Sequence, residues 1–159
     1  MTAPAAPSAV PAVGSAAPDL TLASTSGETV TLSALRGRPV LLAFFPLAFT
    51  STCTAEVCAF SDEFDAFAGR DVAVLPISVD SVPTLKEFKA KYGMKVDLLS
   101  DFKREASRAY GVLLEERNHS TRAYFLVDRD GVVRWAHLMA NPGQRLENAE
   151  ILAEIARLG

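Results

Sequence analysis

Residues 39 to 68 admit few arrangements. Pro39 to Phe45 is an unbroken apolar run, the pattern of a central strand covered on both sides. Directly after it, Pro46-Leu47-Ala48-Phe49-Thr50-Ser51-Thr52 supplies a turn. From Cys53 to Ala68 the period becomes helical, with Cys53, Val57, Phe60, Phe64 and Phe67 recurring at spacings of four and three. A buried strand that runs straight into such a helix belongs in a sheet with helices packed on it. The unit also delivers Cys53 to the first helical turn. There, unsatisfied backbone N–H groups and the positive end of the helix dipole favour a thiolate over a thiol.

The rest of the chain extends the same alternation. Leu20 to Leu22 and Thr29 to Leu32 flank Ser26-Gly27-Glu28 and read as an edge hairpin. Val72 to Val79 is a second buried strand, and Pro83 to Tyr92 a helix ending before Gly93. Val96 to Leu99 suits a short third strand, and Lys103 to Tyr110 a helix stopped by Gly111. Ala123 to Val127 and Val132 to His137, joined by Asp128-Arg129-Asp130-Gly131, predict an antiparallel hairpin with an Asp-Gly turn. Gln144 to Leu158 closes as a helix with Leu146, Ala149, Leu152, Ala153 and Ala156 on one side. The order βαβ, further α/β, then ββα predicts an α/β fold: a mixed central β-sheet flanked by helices, most economically thioredoxin-like.

A length of 159 residues is about one domain. That domain is expected over 15–159, after an Ala/Pro-rich extension over 1–14 read as disordered. Pro4, Pro7 and Pro11 interrupt the apolar stretch a signal peptide needs, and no basic residue precedes it. A net charge of −3 without a basic cluster argues against nucleic acid or an anionic membrane surface as partner. No apolar run approaches the roughly 20 residues of a transmembrane helix. Two cysteines do not make a disulfide-rich secreted scaffold, so a reducing, cytoplasmic setting is expected.

With Cys53 at zero on a helical wheel, Val57, Phe60, Phe64 and Phe67 fall within about 40° of it, and Cys58 lies at about 140°. Cys53 thus shares the core-facing stripe, whereas Cys58 stands with Thr54, Ser61, Asp62 and Asp65 on a polar face. Inert core thiols would account for Cys53 but not for Cys58 among aspartates. Metal binding is disfavoured: sulfurs at i and i+5 diverge, and the two lone histidines have no ligand spacing. A dithiol oxidoreductase would use C-x-x-C rather than a gap of four residues.

Pro46, Thr50 and Cys53 stand as Pro-x-x-x-Thr-x-x-Cys, with Glu56 three beyond, and this resembles the active-site motif of peroxiredoxins. The resemblance runs from about Gly14 to the C-terminus. It takes in Ala17-Pro18-Asp19-Leu20, Leu35-Arg36-Gly37-Arg38, Leu98-Leu99-Ser100-Asp101, Tyr110-Gly111-Val112 and the segment Arg122 to Gly131. Cys58 is similar to the resolving cysteine of the bacterioferritin-comigratory (peroxiredoxin Q) subfamily. Phe44 to Thr50 is closer to the one-cysteine alkyl hydroperoxide reductase E type, so the chain mixes two subfamily signatures.

The resemblance implies a thiol-dependent peroxidase without cofactor or metal, acting on hydrogen peroxide and organic hydroperoxides. Cys53 would become a sulfenic acid, resolved by Cys58 as an intramolecular disulfide and recycled by a thioredoxin-like or glutaredoxin-like reductant. The implied state is a monomer or weak homodimer. Thr50 is expected to hydrogen-bond the thiolate or peroxide, and Pro46 to cap the pocket against water. Arg122, in Arg-Ala-Tyr-Phe-Leu-Val-Asp, is expected to hold the sulfur ionised, its loss mattering more for reactivity than for stability. Tyr124 replaces a residue more often Thr in the family. Glu56 is expected to orient an arginine, against the simpler reading of an acid favoured in a first helical turn. Trp135 and His137 are expected to pack on the sheet, and His119 to lie in an exposed loop. Two other readings remain at this point: a non-catalytic redox-sensing or chaperone module using the same disulfide, and a thiol metallochaperone.

Overall fold

The computed structural model describes residues 10–139 and 144–158. Most of the proposed 1–14 extension therefore lies outside the described residues. Gly14 to Ala17 is already tied to the fold, with Gly14 N–H donating to Val133 O (2.7 Å) and Ala17 N–H to Gly131 O (2.9 Å).

Among the described residues, seven strands form one mixed sheet: β1 (Thr21–Ser24), β2 (Thr29–Thr31), β3 (Val40–Phe44), β4 (Ala73–Ser78), β5 (Leu99–Ser100), β8 (Ala123–Val127) and β9 (Val133–Leu138). Their spatial order is β2-β1-β5-β4-β3-β8-β9, with β3, β4 and β5 mutually parallel and the rest antiparallel. A separate two-stranded ladder pairs β6 (Leu113–Leu114) with β7 (His119–Ser120). Around the sheet run α1 (Ser51–Asp62), α2 (Phe64–Ala68), α3 (Val82–Tyr92), α4 (Glu105–Ala109) and α5 (Asn148–Ala156). This is the thioredoxin-like arrangement that the alternation predicts.

The sheet divides the core by strand alternation. Leu41, Ala43 and Phe45, with Tyr124 and Leu126, face α1, α3 and α5 through Val57, Phe60, Leu85, Phe88, Ile151 and Ile155. Leu42, Phe44, Leu75, Ile77 and Phe125 face the opposite side, where Tyr110, Val112, Leu20 and Leu22 close the second core. The Phe44, Tyr110 and Phe125 rings pack there with centroids 5.0–5.9 Å apart. β3 lies between these layers with all five residues buried, as its uniform apolarity requires.

Pro76 sits inside β4 without a defect. Ala73 N–H reaches Pro39 O and Ile77 O receives Phe45 N–H, so the odd residues bond toward β3 and Pro76 points the other way. On that side β5 pairs only with Ile77 and Ser78, and no ladder bond is lost.

Several expectations need correction. The helix expected over Cys53 to Ala68 begins at Ser51 and breaks at Glu63 (φ −104°, ψ 22°). Ser and Asp are poor helix formers, and buried Ser61 is engaged outside the helix, its Oγ accepting Lys95 N–H at 2.7 Å. The break turns Phe64 out to 38 % exposure while Phe67 still packs edge-on against Phe60. The strand expected over Val96 to Leu99 shrinks to Leu99–Ser100. Met94, Val96 and Leu98 are buried alternately, yet Thr25 satisfies the backbone of Leu98 through its N–H and its Oγ1. The helix expected from Lys103 starts at Glu105 because Arg104 is left-handed (φ 63°), and buried Asp101 accepts Ala106 N–H, Ser107 N–H and Ser107 Oγ–H. The closing helix spans Asn148–Ala156 only. His119 is half-buried in β7 rather than in an exposed loop. Trp135 is partly buried in the sheet packing, and His137 stacks on it from the exposed side.

The β8–β9 turn has its own anchor. Asp128 Oδ1 accepts the Asp130 and Val132 N–H groups (2.9 and 3.0 Å), Oδ2 accepts Arg134 Nε–H (2.6 Å), and Gly131 takes φ 82°. Burial opposes the charge, but the Val132 N–H, Arg134 and the Asp130 N–H together hold the carboxyl below its usual value. A lowered folded pKa gives stability that is present above the ordinary carboxylate value near 4 and is lost as pH falls through the lowered one. Asp128→Asn should therefore cost about 1 kcal/mol at pH 7, with the difference from wild type shrinking below about pH 4. Urea unfolding of both proteins at pH 7 and pH 3 measures this, and a pH-independent difference would contradict it.

Candidate active site

The site forms where β3 ends and the chain enters α1. Phe45 N–H donates to Ile77 O (2.9 Å), and Ala48 N–H donates to Asp80 Oδ2 (2.8 Å), which also accepts Ser78 Oγ–H (2.7 Å). Asp80 thus ties the turn to the end of β4. Pro46 is buried, whereas Leu47 and Phe49 face solvent. Phe49 adopts φ 67°, and its ring rests on Phe88 with centroids 5.0 Å apart. Thr50 occupies the N-cap position, and its carbonyl accepts Thr54 N–H at 2.8 Å. The Thr50 hydroxyl donates to Leu47 O at 2.8 Å, so its proton is directed along the turn and not toward Cys53.

Cys53 is the third residue of α1, buried on the inner stripe with Val57 and Phe60. Opposite it stands β8. Pairing of Phe44 with Ala123 sets Arg122 beside Phe45, and strand alternation turns Arg122 and Tyr124 toward α1. Arg122 is 1 % exposed. Its Nη2 donates to Cys53 Sγ at 3.0 Å and its Nη1 to Glu56 Oε1 at 2.8 Å. The other carboxylate oxygen of Glu56 accepts the Tyr124 hydroxyl, and the Tyr124 oxygen accepts Leu146 N–H at 3.1 Å.

Glu56 is the sixth residue of α1 and buried, which removes the reading of a solvated first-turn acid. Burial pushes its carboxyl up, opposed by Arg122 and by the Tyr124 hydroxyl. Burial disfavours charge on Arg122, yet Glu56 and then Cys53 raise its pKa, so it stays a cation. Burial, then Glu56, pushes the Tyr124 phenol far above its usual value and keeps it a donor. The result is a chain of hydrogen bonds, Leu146 to Tyr124 to Glu56 to Arg122 to Cys53, with one fixed cation on the sulfur.

Cys58 is half-buried against the rim of the same core, and burial followed by Asp62 raises its thiol. Both cysteines lie within the one helix α1. The expected residues Cys53, Glu56 and Arg122 therefore meet, Pro46 and Thr50 line the turn beside them, and Cys58 stands apart. Tyr124 as a donor and Asp80 as the anchor of the turn escaped the sequence reading. The available signal for Asp80 was an acid directly after a buried parallel strand, the end at which α/β sheets place their sites. Among the described residues no group of three or more His, Cys, Asp or Glu is placed to hold a metal ion.

The sequence profile of the AhpC/TSA family matches residues 13–136. Alkyl hydroperoxide reductase E of Mycobacterium tuberculosis is 43% identical over 135 residues, covering 83% of this chain and 88% of that protein. The chloroplastic peroxiredoxin Q of rice is 37% identical over 125 residues, covering 78% of this chain and 58% of the relative. Among solved structures, reduced 2-Cys peroxiredoxin of Plasmodium vivax superposes with a TM-score of 0.85 at 33% identity, covering 92% of this chain and 81% of that one.

The buried pair revises the expectation that Arg122 matters mainly for reactivity. Arg122→Ala leaves the Glu56 carboxylate buried without its counter-ion and should cost about 3–5 kcal/mol of stability. Combining it with Glu56→Gln should recover part of that loss. Thermal or urea unfolding of the single and double variants checks this, and a single variant as stable as wild type would contradict it.

Proposed function

The chain belongs to the AhpC/TSA family, and its activity is thiol-dependent reduction of peroxides; we propose that Cys53 carries this activity and that Cys58 resolves it. The observation supporting the first assignment most directly is the buried contact between Arg122 Nη2 and Cys53 Sγ, backed by Glu56. A cation fixed on sulfur in a water-poor site stabilises the negative charge that develops as the sulfur reacts.

In this reading the Cys53 thiolate attacks the terminal oxygen of hydrogen peroxide or an organic hydroperoxide. An S–O bond forms as the O–O bond breaks, and the departing oxygen takes a proton to leave as water or alcohol. Arg122 and the backbone N–H of Cys53 stabilise the charge shared between sulfur and oxygens. Thr50 takes part by turning its hydroxyl from Leu47 O to the peroxide, and Pro46 shields the pocket from water. The Cys58 thiol then attacks the sulfenic sulfur, forming the disulfide and releasing water. A thioredoxin-like or glutaredoxin-like dithiol returns both cysteines to thiols. A monomer or weak homodimer in a reducing cytoplasm suits this cycle.

The assignment predicts that Cys53→Ser abolishes peroxide consumption while the fold persists, since the exchange removes a sulfur but little volume. Stopped-flow measurement on the purified variant is the check, and more than a few per cent of the wild-type rate constant would rule Cys53 out.

Resolution demands more than side-chain motion. On a continuous helix, residues five apart have Cα atoms about 8.6 Å apart, from a 7.5 Å rise and the chord for 140°. A disulfide needs about 4.4–6.8 Å and converging Cβ vectors. With α1 intact from Ser51 to Asp62, Cys53 and Cys58 cannot bond. Oxidation should therefore unwind the segment from Thr52 to about Phe60, lowering helix content and amide protection there while the sheet stays protected. Hydrogen exchange on reduced protein, and on protein shown by mass to carry the bond, tests this. Equal exchange in both states would defeat it.

A further inference from the structure

We infer that Tyr124 is a positioning residue for the peroxide step: by occupying one oxygen of Glu56, it keeps the Arg122 guanidinium shared between that carboxylate and the Cys53 sulfur. The inference rests on the reading of Cys53 and Arg122 given above and concerns how their contact is maintained.

An arginine facing a buried carboxylate has a strong competing geometry. Two parallel N–H···O bonds, one from each terminal nitrogen to each oxygen, are the favoured pairing of these two groups. Here that pairing is not made. Nη1 meets Glu56 Oε1 at 2.8 Å, and Nη2 is directed to Cys53 Sγ at 3.0 Å. What stands in the place of the second nitrogen is the Tyr124 hydroxyl, bonded to Glu56 Oε2.

The direction of that bond is fixed. The Tyr124 oxygen already accepts Leu146 N–H at 3.1 Å, so its own proton is free to point at Glu56. The phenol is fully buried in β8, its ring 6.2 Å from that of Trp135, and its raised pKa keeps the proton in place. The other charged groups acting on Glu56 are Arg122 itself and the more distant Arg145. A phenylalanine at 124 would leave Oε2 buried and short of a donor. The nearest strong donor is then Arg122 Nη2, and drawing it to Oε2 takes it from the sulfur.

A double-mutant cycle on the full chain, read by the stopped-flow rate constant for hydrogen peroxide, tests the inference. Tyr124→Phe should slow the peroxide step at least tenfold. In a Glu56→Gln background, which has no second carboxylate oxygen to draw the arginine, adding Tyr124→Phe should change the rate constant less than twofold. Replacing the Tyr124 hydroxyl by an amine (4-aminophenylalanine), which restores an N–H donor on the same ring, should recover most of the lost rate. A purely structural role would instead slow both backgrounds by the same factor, and that result overturns the inference. If Tyr124→Phe alone does not fold, the Glu56→Gln pair still exposes a purely structural role, since a tenfold slowing there overturns the inference. The 4-aminophenylalanine variant at 124, which keeps a donor on Glu56, should then hold most of the wild-type rate constant, and its loss also overturns the inference. Arg122→Ala and Cys53→Ser are measured in the same assay. If both are slow and Tyr124→Phe keeps the wild-type rate constant, only the role of Tyr124 is lost. If Arg122→Ala is as fast as wild type, the reading of the site fails with it.

Discussion

Taking a guanidinium out of water costs several kcal/mol unless an opposite charge is waiting with good geometry. The burial of Arg122 therefore dictates what surrounds it. One helix supplies both partners, since Cys53 and Glu56 are three residues apart on α1 and share a face. The strand pairing supplies the cation, because the β3–β8 register carries Arg122 to the α1 side of the sheet. A slip of one residue in that register would send Arg122 and Tyr124 to the opposite core, among Phe44, Tyr110 and Phe125. Site and fold are specified by the same pairing.

The helix that builds the site also stands in the way of the proposed second step. In the folded helix Cys58 is too far from Cys53 to bond, and burial and Asp62 both disfavour its thiolate. Unwinding removes the distance and both of those restraints together. The reduced enzyme can thus keep a stable helix, needed to hold Cys53 against Arg122, without a second reactive thiol competing for oxidants.

Much of this was legible in the residues. β3 is apolar at every position and α1 carries an apolar stripe, so strand, turn and helix followed from pattern alone. Positions set by long-range partners were not legible. Ser61 binding the Lys95 amide, and the helix break that follows, depend on a loop 34 residues away. The burial of Met94, Val96 and Leu98 imitates a strand, although the backbone of Leu98 is satisfied by Thr25. Glu56 could have been placed on the inner face, since it falls only about 60° from Cys53 on the helical wheel. Its charge points to solvent unless it has a partner, and the arginine beside it lies 66 residues away. The bond from Leu146 to Tyr124 joins positions 22 apart, and nothing local signals it.

Where α1 is fastened determines what its release can do. Asn148 Nδ2 donates to Ala59 O at 2.9 Å, and Ser61 Oγ holds the Lys95 amide two residues further on. The other end is held at the turn by Asp80. An unwound segment between these fastenings is a tether of roughly ten residues held at both ends, so its two sulfurs stay close to one another however the segment moves. Cys58 then searches a volume set by the tether rather than by diffusion, at an effective concentration near the millimolar range of short linked partners. In the proposed resolving step, capture of the sulfenic acid would thus be an intramolecular encounter, governed by helix opening rather than by how far the second sulfur must travel.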